Sequence, residues 1–312
     1  MAEPEGARGA MRANLCLIGS IAIWGSFFPL LAHLLETWDP YSNAAGRAAL
    51  GAAVLAIMAS MRRSPRPLAT PLPWRRIVLL GVVGVAGFNL FMTLGIAHSG
   101  PISASIVATT GPISAAVLGR TLYGRRIAPI VGVAAALAVA GGLCVALAHG
   151  EGWDDLRGGE LLVFAASVSW MWYSMRFGEW LGHVPQTVAT AMTYGVGAVM
   201  LIVAALVLGA LGVSPLRIDT GVESLGLMLV VAVSSTAVAV MLWLSGVARL
   251  GVTVGAAYGN LVPVVAVATA WATGTVPRGL ELIGGLVVIA GVALTQLGPR
   301  LERLRTRAPS EG

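Results

Sequence analysis

The chain has 312 residues, 57% of them apolar and only 11% charged, with a mean hydropathy of +0.83. So few charges cannot cover a soluble domain of this length, which excludes water-soluble enzymes and binding modules. The pI near 10.1 invites a nucleic-acid partner, but the basic residues cluster at the ends of apolar stretches and form no single patch, so none is expected.

A polar tail, 1–11, opens the chain. Ten stretches of about 20 residues follow, each long enough to span a bilayer. The first, 12–33, carries Trp24 at its middle and Cys16 near one end; with nine more behind it, it reads as a retained helix and not a cleaved signal peptide. The second, 40–61, holds Asn43 and Arg47 one turn apart on one face. The third, 74–97, places Asn89 and Thr93 on a shared face. The fourth, 101–120, contains Thr109, Thr110 and Pro112, and the fifth, 127–148, contains Cys144. The polar, acidic run HGEGWDDLR at 149–157 reads as a connector.

The second half repeats this order. The sixth stretch, 158–181, has Trp170, Trp172 and Tyr173 at its middle, and the seventh, 185–210, has Tyr194. The eighth, 222–247, has a polar island of Ser234, Ser235 and Thr236, followed by Trp243. The ninth, 252–274, holds Tyr258, Asn260 and Pro263. The tenth, 279–298, leads to a basic tail, 299–312.

A four-residue rhythm marks the duplication. Gly100, Ala104, Ala108 and Pro112 recur 151 positions later as Gly251, Gly255, Gly259 and Pro263. Gly95, Ala97 and Ala115 recur as Gly246, Ala248 and Ala266. Small residues at this spacing predict close helix packing. Pro112 and Pro263 predict kinks that free the carbonyls of Ala108 and Gly259, and so candidate hinges. With the N-terminus in the cytoplasm, sixteen arginines fall in inner loops and tails, three in outer loops, and Arg47 inside a span. This bias places both termini in the cytoplasm. Five helices per unit is an odd number, so the copies at 12–148 and 158–298 run in opposite directions. The expected fold is therefore an all-α polytopic membrane protein: ten transmembrane helices as two inverted five-helix repeats.

The stretches AIWGSFF (22–28), NAAGRAAL (43–50), GIAHSGPISASIVATTGP (95–112) and GVARLGVTVGAAYGNLVP (246–263) resemble the EamA-type drug/metabolite transporter superfamily over about residues 12–298. Within it the chain looks most like the YddG-type aromatic amino-acid exporters. Members often carry a Gly-Glu pair after the fourth helix of each unit; here Arg125 and Thr275 stand where the acid would be. The resemblance implies a cavity lined by helices one to three and six to eight, with the other four at the periphery. It includes an arginine at the place of Arg47.

Arg47 has three readings: a ligand for a substrate carboxylate, a tie bonding helix-end carbonyls, or a side chain reaching Glu36 or Asp39 at the surface. Trp24 and Trp170 are too deep for an interfacial belt and predict a cavity wall or a buried indole bonded to a carbonyl. With them, Asn43, Arg47, Asn89, Thr109, Tyr194, Ser235, Tyr258 and Asn260 complete the candidate substrate site, although Ser and Thr in membrane helices usually bond back to their own helix. The span centres contain no Asp, Glu or His, so no proton relay is expected. Neither H-E-x-x-H nor G-x-S-x-G is present, and no enzyme activity, metal or cofactor is expected. The two cysteines lie at opposite membrane faces and predict no disulfide. The expected function is export of aromatic or neutral amino acids across a bacterial inner membrane by a monomeric, facilitative carrier using alternating access. A drug or sugar-type metabolite exporter is the alternative, and a channel or scaffold ranks below it.

Overall fold

The computed structural model describes residues 3–61, 72–124 and 158–274, with short pieces between 126 and 141 and between 279 and 291. The predicted fifth and tenth spans fall largely outside the described residues, as do the 149–157 connector, the 299–312 tail and Cys144.

Among the described residues, six long helices and several shorter ones form a bundle. Helix α1 (Glu3–Thr37) extends past both predicted ends. Helix α2 (Pro40–Met61) starts where Asp39 Oδ1 accepts bonds from the backbone N–H of Tyr41 and Ser42, at 3.0 Å each. An aspartate followed by Pro at the first helical position is a strong start signal. Helix α3 (Trp74–Ser99) is π-helical over Leu80–Gly87. It is followed by α4 (Pro101–Ala108) and α5 (Gly111–Tyr123), which are bent by 42° relative to each other. In the second half come α6 (Gly159–Leu181), α7 (Gln186–Ala210) and α8 (Val222–Leu250), the last π-helical over Ala232–Val238. Helix α9 (Val252–Tyr258) meets α10 (Val262–Ala272) through the single 3-10 turn Gly259–Leu261. Helices α1, α2, α3, α7 and α8 contain stretches long and apolar enough to cross a membrane, and the bent α4–α5 pair would make a sixth span.

The principal packing is across the halves: α2 on α7, α1 on α8 and α3 on α6. Glycines make these approaches close, and they do so in equivalent pairs. A Cβ at Gly246 of α8 would strike Leu17 of α1 at 2.6 Å, and one at Gly95 of α3 would strike Val163 of α6 at 2.5 Å. A Cβ at Gly51 of α2 would meet Thr236 at 2.3 Å, and one at Gly197 of α7 would meet Val85 at 2.5 Å. These contacts relate α1 to α6 and α2 to α7 at a spacing of 146, and α3 to α8 at 151.

Two predictions about the rhythm need correction. Gly100 and Gly251 are not packing residues: a Cβ at either would have nothing within 4 Å. They turn the chain between α3 and α4 and between α8 and α9, at φ 76°, ψ 166° and φ 87°, ψ 152°. That backbone region is essentially confined to glycine. Pro112 and Pro263 do not kink running helices. Each sits in the first turn of a new helix, where a missing N–H costs little, and the break precedes it. Gly255 does pack, its added Cβ meeting Val247 at 2.5 Å.

Candidate functional site

A central cavity of about 90 Å³ lies where the two halves meet, lined from α1, α2, α3, α6, α7 and α8 and from the breaks in the fourth and ninth segments. The breaks contribute Ala108 and Gly111 on one side and Gly259 and Val262 on the other. The expectation that these segments stay peripheral is thereby corrected: interrupting a helix lets its backbone come close to the centre. The lining falls into equivalent pairs. Trp24 faces the cavity as Trp170 does, 146 positions on, and Asn89 and Met92 as Val240 and Trp243 do, 151 positions on. Ala108 pairs with Gly259 and Gly111 with Val262 at the same 151 spacing.

The polar wall belongs to α2 and α3. Arg47 is 2% exposed. Its Nε donates to Asn43 Oδ1 at 3.1 Å and its Nη2 to Thr93 Oγ1 at 2.7 Å. Its guanidinium lies 4.9 Å from the centre of the Phe27 ring. Thr93 in turn donates to the Asn89 carbonyl at 2.7 Å, and Asn89 Nδ2 donates to the Val85 carbonyl at 2.9 Å, leaving Asn89 Oδ1 available as an acceptor. Guanidinium has five N–H donors, and two are used here. The surface reading of Arg47 is corrected, because Asp39 caps α2 and accepts from Arg217 N at 2.9 Å, while Glu36 pairs with His33 at 3.3 Å. Arg47 also bonds no helix-end carbonyl among the described residues.

Much of the remaining lining is aromatic. Trp24 and Trp170 meet edge to face with centroids 5.3 Å apart, and Trp243 lies 5.3 Å from Trp24. Phe88 and Tyr173 flank Trp170 at 5.2 and 5.3 Å. Trp24 Nε1 donates to the Ser235 carbonyl at 3.1 Å, and Trp243 Nε1 to Ser174 Oγ at 3.0 Å. Trp170 Nε1 is buried and has no partner among the described residues.

The other candidates divide. Tyr194 and Ser235 line the cavity, although the Ser235 hydroxyl is spent on the Val231 carbonyl at 2.7 Å. Asn43 supports Arg47 from behind, with its own Nδ2 unpaired. Thr109 does not line the cavity; it bonds its own helix at the Ile106 carbonyl, 2.6 Å away. Tyr258 also lies outside the lining and donates to Asn14 Oδ1 on α1. The Asn260 side chain is outside the described residues. Sequence reasoning left Phe27, Phe88, Met92 and Trp243 out of the site. Only Trp243 carried a usable signal, as an indole deep in a predicted span.

The EamA-like transporter family matches the chain twice, over residues 11–147 and 157–297. A Bacillus subtilis protein named an uncharacterized transporter, YyaM, is 25% identical over 95% of this chain and 97% of its own length. A Streptantibioticus cattleyicolor protein named a probable terminal-alkyne amino-acid exporter is 27% identical over 93% of this chain and 96% of its own. One solved crystal structure superposes with a TM-score of 0.67 at 22% identity, covering 93% of this chain and 98% of that one, and so shares the fold. With the family pattern present once in each half and nearly all of the chain covered, this polytopic membrane protein belongs to the EamA-like transporter family.

Proposed function

We propose that the chain exports amino acids with apolar or aromatic side chains across a bacterial inner membrane, by alternating access of two inverted five-helix halves with both termini in the cytoplasm. The observation that carries this is the two-sided cavity. Arg47 has donors to spare for a carboxylate, Asn89 is joined to it through Thr93 at its backbone carbonyl and offers Oδ1 as an acceptor for an ammonium, and three tryptophans line the same cavity. The lining by equivalent residues supports a site between two rocking halves. The naming of a relative as an amino-acid exporter agrees with this choice. Among the described residues no Asp, Glu or His lines the cavity, which supports a facilitative mechanism without a proton relay.

The test is counterflow in proteoliposomes loaded with leucine or phenylalanine. Saturable exchange is expected, and an imposed proton gradient should not concentrate the substrate. Non-saturating flux would point to a channel. Flux of a lipophilic cation or a sugar phosphate, with none of any amino acid, would overturn the substrate choice.

A further inference from the structure

A second cavity, of about 330 Å³, lies between α1 and α8 and shares Phe27 and Ser235 with the central one. Ser26 and Ser234 line it, and its edge is open at exposed Ala22. It runs from the middle of α1 toward Thr37, within the apolar span. Phe27 is thus a partition. One side of its ring carries the Arg47 guanidinium, 4.9 Å from the centroid, and the same side chain walls the crevice.

The fold does not require this opening, because the duplicated half fills the same place. At the spacing of 146, Ser26 corresponds to Trp172 and Phe27 to Tyr173; at 151, Ser235 corresponds to Gly84. Tyr173 lies directly on Gly84, with its Cδ2 2.5 Å from where a Cβ would stand, and its hydroxyl is 3.0 Å from Thr193 Oγ1. Thr193 is the equivalent of Arg47. One half therefore has a bulky pair and a neutral hydroxyl where the other has a small serine, a phenylalanine ring and a cation with donors to spare.

The volumes set the size of the ligand. The central cavity, about 90 Å³, has room for several waters or a compact amino acid but no length for an extended alkyl chain. An apolar cavity of about 150 Å³ is enough for benzene, so the crevice can hold an alkyl tail. We propose that the crevice is a tail site for amphiphilic carboxylates, in which the head group sits on Arg47 and an unbranched alkyl chain passes Phe27 into the space between α1 and α8. Charge complementarity fixes the head, and the apolar crevice within a membrane-spanning helix pair fixes the tail. This rests on Arg47 being the carboxylate ligand of the proposed transport site.

The experiment uses the full chain in vesicles, with Cys16→Ser and Cys144→Ser as background and bimane on Ser234→Cys. The probe is ω-bromo-α-aminodecanoate, whose bromine quenches bimane on contact. Saturable quenching is expected, abolished by Arg47→Met and competed by unbrominated α-aminodecanoate. Quenching that rises linearly with probe and is unchanged by Arg47→Met would be partition into lipid and would overturn the proposal. In parallel, Ser26→Trp copies the bulk of Trp172. It should weaken α-aminodecanoate about tenfold, as the loss of two methylenes from an apolar site would, while alanine stays within about twofold. Equal loss for both substrates, or loss for neither, would overturn the tail site. Absence of all amino-acid flux with saturable quenching intact would count against the transport reading alone and leave the tail site supported.

Discussion

Replacing Arg47 with methionine separates a ligand from a structural tie. The substitution removes the Nε bond to Asn43 and the Nη2 bond to Thr93. Thr93 keeps its bond to the Asn89 carbonyl, but among the described residues Asn43 loses its one side-chain partner and its Nδ2 is already unpaired. An orphaned buried acceptor costs about 1–3 kcal/mol. Against this, a cation no longer has to be held out of water, and exchanging buried charge for an apolar group of similar volume is often neutral. The net loss of stability should be about 1–2 kcal/mol, and Arg47→Met with Asn43→Leu should recover most of it by removing the orphan. Substrate affinity should behave differently. Truncating one side of a buried charge pair costs about 2–5 kcal/mol, roughly thirtyfold to several thousandfold in binding. Thermal melting in detergent and equilibrium binding of labelled leucine measure the two quantities. If the double variant folds stably and still binds leucine within about threefold of the parent, Arg47 is not the carboxylate ligand.

Three further outcomes follow from the geometry. Gly100→Ala and Gly251→Ala should each cost about 1–3 kcal/mol, because both positions need a backbone region nearly closed to alanine, and thermal melting should show similar drops for the two. Trp24→Phe should cost about 1–2 kcal/mol by leaving the Ser235 carbonyl without the indole, whereas Ser235→Ala should stay within about 0.5 kcal/mol, since that hydroxyl only bonds back to Val231. Ser174→Ala should lose about 1–3 kcal/mol despite its small change in volume, because it strands the Trp243 indole N–H. Adding Trp243→Phe to it should cost less than the sum of the single changes, as a double-mutant cycle would read.

The helical, membrane-spanning character of the chain is legible in its sequence because bilayer thickness sets a length and hydropathy reports it. The likeness of the two halves, each of which matches the family pattern, is legible too, since Gly100 and Gly251 need the same backbone conformation and so keep the same residue. Their role was not legible. A glycine in a small-residue stripe and a glycine at a turn look alike until φ is known, and nothing distinguishes a proline that bends a helix from one that begins the next. At the site, Arg47 and the deep tryptophans stood out because burying a charge or an indole N–H in lipid is expensive. Phe27, Phe88 and Met92 did not, because an apolar side chain facing a cavity costs no more than one facing lipid. Thr109 and Tyr258 were over-read: a hydroxyl satisfied by its own helix or by Asn14 leaves no trace in composition.

The lining pairs carry a further consequence for the alternating-access reading. A carrier of this kind needs two conformations close in free energy, and a ligand shifts them only by binding them unequally. On the proposed alternating-access reading, matched backbone features would provide the near-equality: the same glycine turn, a break at the same place and a π-helical stretch in α3 and in α8. The side chains are not matched. Arg47 and Asn89 have Thr193 and Val240 as counterparts, so the charged and amide side chains of the lining belong to α2 and α3, which the Arg47–Thr93 bond joins. The contacts from α6 and α8 are mainly aromatic surfaces with neutral hydroxyls beside them. During rocking, the head group can stay on one half while apolar contacts to the other are exchanged, so no charge-assisted bond has to break midway. If Arg47 and its hydrogen-bond partners were divided between the halves, each cycle would strand a buried charge, a cost of several kcal/mol that would set the rate.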